Sequence, residues 1–208
     1  MTIKDLPLQT FLDRLASGSS TPGGGSAAGV MGAIGAALVS MVCHFTVGRE
    51  KYAAVDAQMR ETLVAAEAAR LSLTGAIVAD VAVFDQVMAA YGLPKGSENE
   101  KVARSAAIQL ALKEATDVPL GCARACVDVI RLSASAAAQG NLNVISDAGV
   151  AVMAAYAGLK SAALNVYINV GNIKDEAFTS SRVAEVEALV AEAEASVAQV
   201  FDAVRAKL

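Results

Sequence analysis

The chain has 208 residues, of which 55% are hydrophobic, 4% aromatic and 18% charged, and its formal net charge is -4. This composition excludes a disordered chain, because disordered chains are poor in apolar residues and rich in charge. The acidic balance argues against nucleic-acid binding, which needs a basic face to neutralise phosphates. We expect residues 1–208 to form a single domain, since the length suits one.

The composition, rich in Ala and with only 4 Pro, favours helices over strands. Glycine, proline and asparagine punctuate the chain and predict where the helices begin and end. No strand-turn-strand pattern occurs, so we predict an all-α, multi-helix up-and-down bundle. In chain order, we predict a short amphipathic helix at 6–17, a small-residue helix at 23–47, and one long helix or two nearly collinear ones at 52–91. The next helix starts at Ser97 or Asn99, and a new one starts at Pro119 and ends at Gly140. Two more follow at 146–170 and 175–206.

The segment 23–47 is long enough to cross a bilayer, but small residues that contribute little to insertion make up much of it, and no aromatic belt flanks it. Its small residues recur at helical spacing, which permits close packing of helices in water as well as in a membrane. We therefore expect no membrane association. The members of this stripe are Gly25, Gly29, Gly32, Ala36, Ser40 and Cys43.

Several predicted helices are apolar nearly all round, which indicates complete burial. One subunit of this size cannot easily surround them all, so we expect a homodimer with a large helical interface. The three cysteines form no C-x-x-C pair, and Cys122 and Cys126 are interpreted as small core residues. The N-terminus lacks the pattern of a signal peptide, and these features together predict a cytoplasmic protein.

The segment 21–26 reads Thr-Pro-Gly-Gly-Gly-Ser and is the most distinctive local feature. Glycines allow close approach to a backbone, and the N-terminus of the following helix offers free N–H groups to an anion or a carbonyl oxygen. The segment is neither a P-loop nor a dinucleotide motif, because no G-K-[ST] follows it and no strand precedes it. A tight turn into a close-packed helix explains it equally well.

A few polar residues stand in apolar surroundings. Asp80 lies in an apolar run, where a carboxylate is costly to bury unless it is paired or hydrogen-bonded. Asp147 precedes another apolar run, although Ser146 and Asp147 also suit a helix cap. Asn165 and Asn169 lie one helical turn apart and need partners. A buried polar network is the alternative to a ligand site for each of them.

His44 is the single histidine, and we interpret it as a structural residue satisfied in the core. Without a second histidine or a His/Cys cluster, a zinc site is not expected. A Ser/His/Asp triad would depend on His44, and the sequence has no G-x-S-x-G motif.

Taken together, the segments resemble the cyclodeaminase/cyclohydrolase family of folate enzymes. The resemblance covers nearly the whole chain in the order of the family. It implies an all-helical homodimer that acts on one-carbon derivatives of tetrahydrofolate with neither a metal nor another cofactor. The matching pieces are 21–26, Met41-Val42 through Thr46 to Gly48 and Tyr52, Asp80 with Phe84, 93–95, 118–120, Gly140-Asn141 with Ser146-Asp147, and 165–169.

The resemblance places the acidic catalytic position of the family on Asp80, which we expect to act as a general base on water. Lys95 is expected to orient that water or to bind the carboxylate tail of the folate. Asp147 is the candidate partner of the pterin ring, because a carboxylate accepts two neighbouring N–H donors. The remaining expected substrate contacts are Pro22, Gly23, Gly24, Gly25, Ser26, Asn141, Ser146, Asn165 and Asn169.

Two reactions are open within this family. A cyclohydrolase opens 5,10-methenyltetrahydrofolate to 10-formyltetrahydrofolate, and a cyclodeaminase closes 5-formiminotetrahydrofolate with loss of ammonia. We favour the cyclohydrolase, because no formiminotransferase half is fused to this chain to hand over the formimino substrate. A non-catalytic helical dimer, either a folate binder or a scaffold, is the alternative from a different functional class.

Overall fold

Six α-helices account for most of the chain in the computed structural model, which describes residues 2–208. No strand occurs among these residues, so the prediction of an all-α fold is confirmed. Three short 3-10 turns lie at Ile3–Asp5, Glu50–Val55 and Leu142–Val144. The helices are α1 (Leu8–Leu15), α2 (Gly24–Thr46), α3 (Asp56–Tyr91), α4 (Glu98–Gln139), α5 (Ile145–Val170) and α6 (Glu176–Arg205).

The helices from α2 to α6 alternate in direction. The start of α3 meets the end of α4, where Gln139 Nε2 donates to Gln58 Oε1 over 2.8 Å. Helix α2 packs against α3, α4 and α5, while α6 covers α4 and α5. We call the end of the bundle where α2 begins the Gly24 end, and the end where α4 stops the Gly140 end.

The glycines of α2 let the neighbouring helices α3 and α5 approach closely. A Cβ atom at Gly29 would lie 3.0 Å from the carbonyl oxygen of Leu73 in α3. One at Gly35 would lie 2.8 Å from the carbonyl oxygen of Ala151 in α5. Both distances are shorter than ordinary van der Waals contact, so the glycines are what allows the backbones to meet.

The predicted restart at Pro119 is wrong, because α4 continues through this residue without a break. Proline removes the N–H that would bond to the carbonyl four residues earlier, here that of Ala115. The side chain of Asn169 in α5 supplies the missing donor, with its Nδ2 2.6 Å from the oxygen of Ala115. Tertiary contact therefore satisfies a carbonyl that the sequence leaves without a local partner.

Other helix boundaries agree closely with the sequence. Of the two candidate caps for α4, Ser97 is the one used: its backbone N–H donates to Glu100 over 2.7 Å, and its hydroxyl accepts from the N–H of Glu100. This reciprocal pair is a capping box. The predicted helix at 52–91 begins instead with the 3-10 turn Glu50–Val55, and α3 proper starts at Asp56.

All three cysteines are buried free thiols, as expected for core residues. Burial raises the pKa of the Cys43 thiol to about 11. A hydrogen bond with Cys122, together with burial, raises the pKa of Cys126. Such thiols are poor nucleophiles at neutral pH, because the thiolate is the reactive form.

Within residues 2–208, three helical stretches are long and apolar enough to cross a membrane by length and composition alone: Gly24–Thr46, Glu50–Tyr91 and Leu142–Val170. In the first, 61% of the most apolar window is buried inside the bundle. Packing against other helices thus accounts for much of the hydropathy of α2. The absence of a membrane partner stays a prediction.

We predict that Gly35→Ala destabilises the fold by about 1–3 kcal/mol, because the added methyl group meets the backbone of α5, which cannot move aside cheaply. Urea denaturation followed by circular dichroism measures the change. Gly75→Ala is the matched control, since nothing lies within 4 Å of the added atom on the exposed side of α3. The control should gain about 0.5–1 kcal/mol from helix propensity. Equal stability of the two variants would contradict the close-packing account.

Candidate functional site

A cavity of about 390 Å³ opens at the Gly24 end, between the N-terminus of α2, the second half of α3 and the end of α5. Its lining combines one carboxylate and several amides with a few apolar side chains, a composition typical of small-molecule sites. The polar side chains are those of Ser20, Thr21, Asp80, Tyr91, Asn165, Asn169 and Asn172. The apolar ones include Phe84, Val87, Leu112 and Ile168.

Asp80 lies against the first turn of α2. Its Oδ2 accepts a 2.7 Å hydrogen bond from the hydroxyl of the fully buried Ser26. A Cβ atom at Gly25 would lie 2.0 Å from Oδ1, so the carboxylate occupies the space that any side chain at this position would take. The N-terminal turn of a helix carries partial positive charge and favours a nearby anion. The glycine segment and Asp80 thus form one structural unit.

Within residues 2–208, no donor bonds to the second carboxylate oxygen of Asp80. Ser26 thus fixes the orientation of the carboxylate through Oδ2 and leaves Oδ1 for a ligand or a water molecule. A carboxylate held in this way can accept a proton or pair with a positive charge.

The glycine segment 21–26 lines the cavity mainly with backbone atoms. Gly23, Gly24 and Gly25 line the cavity directly, whereas Pro22 is buried behind it and Ser26 lies under Asp80. This geometry is compatible with both interpretations of the segment. It can border a ligand site, and it can serve as a tight turn into a close-packed helix.

The two asparagines of α5 lie on the opposite wall. Asn165 donates through Nδ2 to the carbonyl oxygen of Ser161 over 2.8 Å, and its amide lies 3.6 Å from the position of a Cβ atom at Gly24. Asn169 uses its Nδ2 on Ala115, as described above. Each amide nitrogen has a carbonyl partner, which orients the side chain, and each amide oxygen is available to accept a hydrogen bond from a ligand.

Three of the predicted substrate contacts are at the other end of the bundle. Asn141, Ser146 and Asp147 lie at the Gly140 end, and Asp147 is about 27 Å along α5 from Asn165 at 1.5 Å per residue. The side chain of Asn141 donates to the carbonyl oxygen of Phe45 over 2.8 Å and accepts from the hydroxyl of Tyr52 over 3.2 Å. Within one chain these residues do not belong to the Asp80 cavity.

Lys95 lies beside the Asp80 cavity, in a separate basic cavity of about 370 Å³. The two cavities share Tyr91 and Asn172 in their linings. Arg104 donates to the carbonyl oxygen of Tyr91 over 2.9 Å, so this cation is anchored to a residue that both cavities share. The cations that line the basic cavity are Lys95, Lys101, Arg104 and Lys174.

Sequence reasoning missed most of the basic cavity and one of the amides. Lys101, Arg104 and Lys174 come from two separate parts of the chain, and only folding brings them together. Asn172 lies just beyond the end of α5 at Val170, so no helical spacing indicated that it shares a cavity with Asn165 and Asn169.

His44 is exposed on the last turns of α2, so its predicted place in the core is wrong. It lies near Glu67, whose pKa is lowered to about 2, mainly by its hydrogen bond with Arg70. This position is at the Gly140 end, so His44 takes no part in the Asp80 cavity. Across residues 2–208, no group of three or more His, Cys, Asp or Glu side chains is arranged to hold a metal ion.

Comparison with known proteins gives three consistent findings. The family model described as Formiminotransferase-cyclodeaminase matches residues 7–188. The chain is 56% identical over 201 residues to the Methenyltetrahydrofolate cyclohydrolase of Methylorubrum extorquens, with 97% of each chain covered. It is also 36% identical to the Formimidoyltransferase-cyclodeaminase of Sus scrofa, but it spans only 37% of that longer protein.

A solved structure agrees with these relationships. The crystal structure of formiminotetrahydrofolate cyclodeaminase from Thermotoga maritima superposes with a TM-score of 0.82 at 34% sequence identity, covering 99% of this chain and 97% of the other. The likeness extends over the entire bundle that holds Asp80 and the amide wall. The chain therefore belongs to the formiminotransferase-cyclodeaminase family.

Proposed function

We propose that the protein is a methenyltetrahydrofolate cyclohydrolase, which converts 5,10-methenyltetrahydrofolate and water reversibly to 10-formyltetrahydrofolate. The observation that carries the proposal is the carboxylate of Asp80, held by Ser26 at the wall of a cavity with one oxygen left for chemistry. The 56% identity to a cyclohydrolase over nearly the full length supports the same reaction.

The chemistry needs few groups, since the methenyl carbon belongs to a cationic amidinium and is already electrophilic. Asp80 attracts this cation and accepts a proton from the attacking water, whose oxygen bonds to the carbon. The bond from that carbon to N5 then breaks, and N5 takes up the proton that Asp80 accepted. The added oxygen loses its remaining proton to solvent and becomes the carbonyl oxygen of the formyl group, which stays on N10. The amide oxygens of Asn165 and Asn169 can accept N–H groups of the pterin.

The basic cavity suits the other end of the substrate. A folate carries carboxylates on its glutamate tail, and a group of four cations beside the reaction cavity attracts them. Of the two roles expected for Lys95, tail binding therefore has more support than orienting water, because Lys95 does not line the Asp80 cavity.

A formiminotetrahydrofolate cyclodeaminase is the second candidate. The cyclodeaminase reaction passes through the same kind of tetrahedral carbon between N5 and N10, and the Thermotoga maritima structure of this fold has that name. The same carboxylate would serve it by moving protons during the loss of ammonia. A non-catalytic folate-binding dimer is a weaker candidate, because it has no need for a carboxylate held with a free oxygen.

The protein is further proposed to act as a cytoplasmic homodimer that needs no metal or other cofactor and binds neither nucleic acid nor membrane. Support for the dimer comes from the exposed side of α2, opposite the side that packs on α4, where Ile34 and Phe45 are 49% and 45% exposed. The neighbouring side of α5 adds Val150, Leu164 and Ile168. A continuous apolar face of this kind suits a second copy of the same face.

Such a dimer gives Asp147 a role in the site. It lies five helical turns from Asn165, hence on the same side of α5, which borders the exposed apolar face. A two-fold axis across this face would run the two α5 helices in opposite directions and bring Asp147 of the partner subunit toward the Asp80 cavity.

We predict that Asp80→Asn lowers the rate of methenyl hydrolysis by about 10²- to 10⁴-fold, because the amide cannot accept a proton from water. Substrate binding should be largely kept, since the amide has nearly the same shape. Loss of the methenyl chromophore is the measurement. Asp85→Asn, on the exposed side of the same helix, is the matched control and should leave the rate unchanged.

Unchanged turnover in Asp80→Asn would overturn the assignment of the general base. Absence of any rate acceleration by the wild-type protein would reject the cyclohydrolase, and ammonia release from formiminotetrahydrofolate would then establish the cyclodeaminase.

We predict that Gly25→Ala reduces turnover by about 10²-fold or more. The added methyl group takes the place of the Asp80 carboxylate, so the general base loses its orientation. Thermal unfolding should show that the variant still folds. Gly75→Ala, on the same helix as Asp80 and with open space around it, serves as the control with unchanged turnover. Full activity in Gly25→Ala would contradict the close fit of Gly25 and Asp80.

We predict that Ile34→Glu converts the dimer to a monomer, because it places a charge in the proposed apolar interface. Light scattering coupled to gel filtration measures the mass. Val102→Glu replaces an equally apolar residue, 69% exposed on α4 away from this face, and should stay dimeric. A wild-type mass equal to one chain would refute the homodimer.

A further inference from the structure

Pro119 in α4 and Asn169 in α5 are linked through the carbonyl group of Ala115. Pro119 lies in the middle of α4, a helix of 42 residues, and is buried there. A proline at this place costs the helix a hydrogen bond and normally kinks or ends it. The helix nevertheless continues, with the carbonyl of Ala115 bonded to the side chain of Asn169.

The chemistry of this contact fixes the orientation of the Asn169 amide. A backbone carbonyl oxygen can only accept a hydrogen bond, so the nitrogen of the amide must face it. The Nδ2 atom lies 2.6 Å from this oxygen, within hydrogen-bond distance. The amide oxygen is then left on the other side, and Asn169 lines the cavity that holds Asp80.

The carbonyl of Ala115 is available to Asn169 because residue 119 is a proline. Any other residue there would present an N–H to this carbonyl and complete the ordinary helical bond. The amide of Asn169 would then share the oxygen with the backbone N–H, and its own hydrogen bond would be weaker and its orientation less firmly held. The proline thus keeps one acceptor free within an otherwise regular helix.

We propose that Pro119 is a positioning residue, which frees the Ala115 carbonyl so that Asn169 presents its amide oxygen to an N–H donor of the substrate. This inference rests on the proposed function, in which the donor is an N–H group of the pterin. Asn169 contacts the substrate, and Pro119 acts only through Asn169.

The test is Pro119→Ala, which restores the N–H of residue 119. We expect KM for methenyltetrahydrofolate to rise about 5- to 30-fold, the range for a lost or weakened hydrogen bond to a ligand, while kcat changes less than about 2-fold. The melting temperature should be kept or raised, since the helix gains a backbone bond. A merely structural proline would not separate KM from stability in this way.

Two further variants complete the cycle. Asn169→Ala should raise KM by a similar factor, and the double variant should be no worse than Asn169→Ala alone, because both changes remove the same contact. Gly121→Ala is the matched control in α4: it has open space, should raise helix stability and should leave KM unchanged. An unchanged KM in Pro119→Ala, or fully additive effects in the double variant, would overturn the inference.

A readout without turnover separates this inference from the proposed function. The side-chain amide protons of Asn169, followed by NMR in the protein without substrate, should exchange slowly in the wild type and faster in Pro119→Ala. If wild-type protein lacks cyclohydrolase activity but this difference is observed, the proposed function fails and the positioning of Asn169 stands. If exchange is equal in both, the positioning fails whatever the activity.

Discussion

Close packing around α2 is the constraint on which the rest of the structure depends. Glycines at 29 and 35 let the backbones of α3 and α5 approach to distances that a Cβ atom would prevent. The same proximity continues to the first turn of α2, where Gly25 leaves room for the carboxylate of Asp80. The packing of the core and the position of the Asp80 carboxylate therefore both follow from the glycines of α2, which present no side chain to their neighbours.

Local signals in the sequence were sufficient for the helical class and most helix ends. The small-residue stripe of α2, the cap at Ser97 and the turn at Gly140 depend on neighbouring residues, so they could be predicted from the chain alone. Pro119 could not, because the donor that compensates for it lies on another helix, 50 positions further along. A strong local preference was overridden by a single tertiary contact.

The candidate site was predictable only in part, for a related reason. Asp80 and Asn165 were identifiable, since polar residues in apolar helices need partners and these two found a common cavity. The resemblance grouped Asp147 with Asn165, although the predicted helix at 146–170 already places them about 27 Å apart at 1.5 Å per residue. Asn141 lies at the same end of the bundle as Asp147. The basic cavity could not be predicted from the sequence, because its cations come together only when α3 and α4 fold into a hairpin.

The unequal lengths of the helices have a consequence for how this site can change. Helix α4 has 42 residues and α2 only 23, about 63 Å against 35 Å at 1.5 Å per residue. The end of α3 and the start of α4 extend beyond the reaction cavity and form an arm. This arm contributes most of the lining of the basic cavity. Substitutions or insertions in this arm alter the surface offered to anionic chains of different length, while the carboxylate and the amides stay fixed in the rigid centre. Selectivity for the tail of a substrate can thus evolve independently of the chemistry at its head.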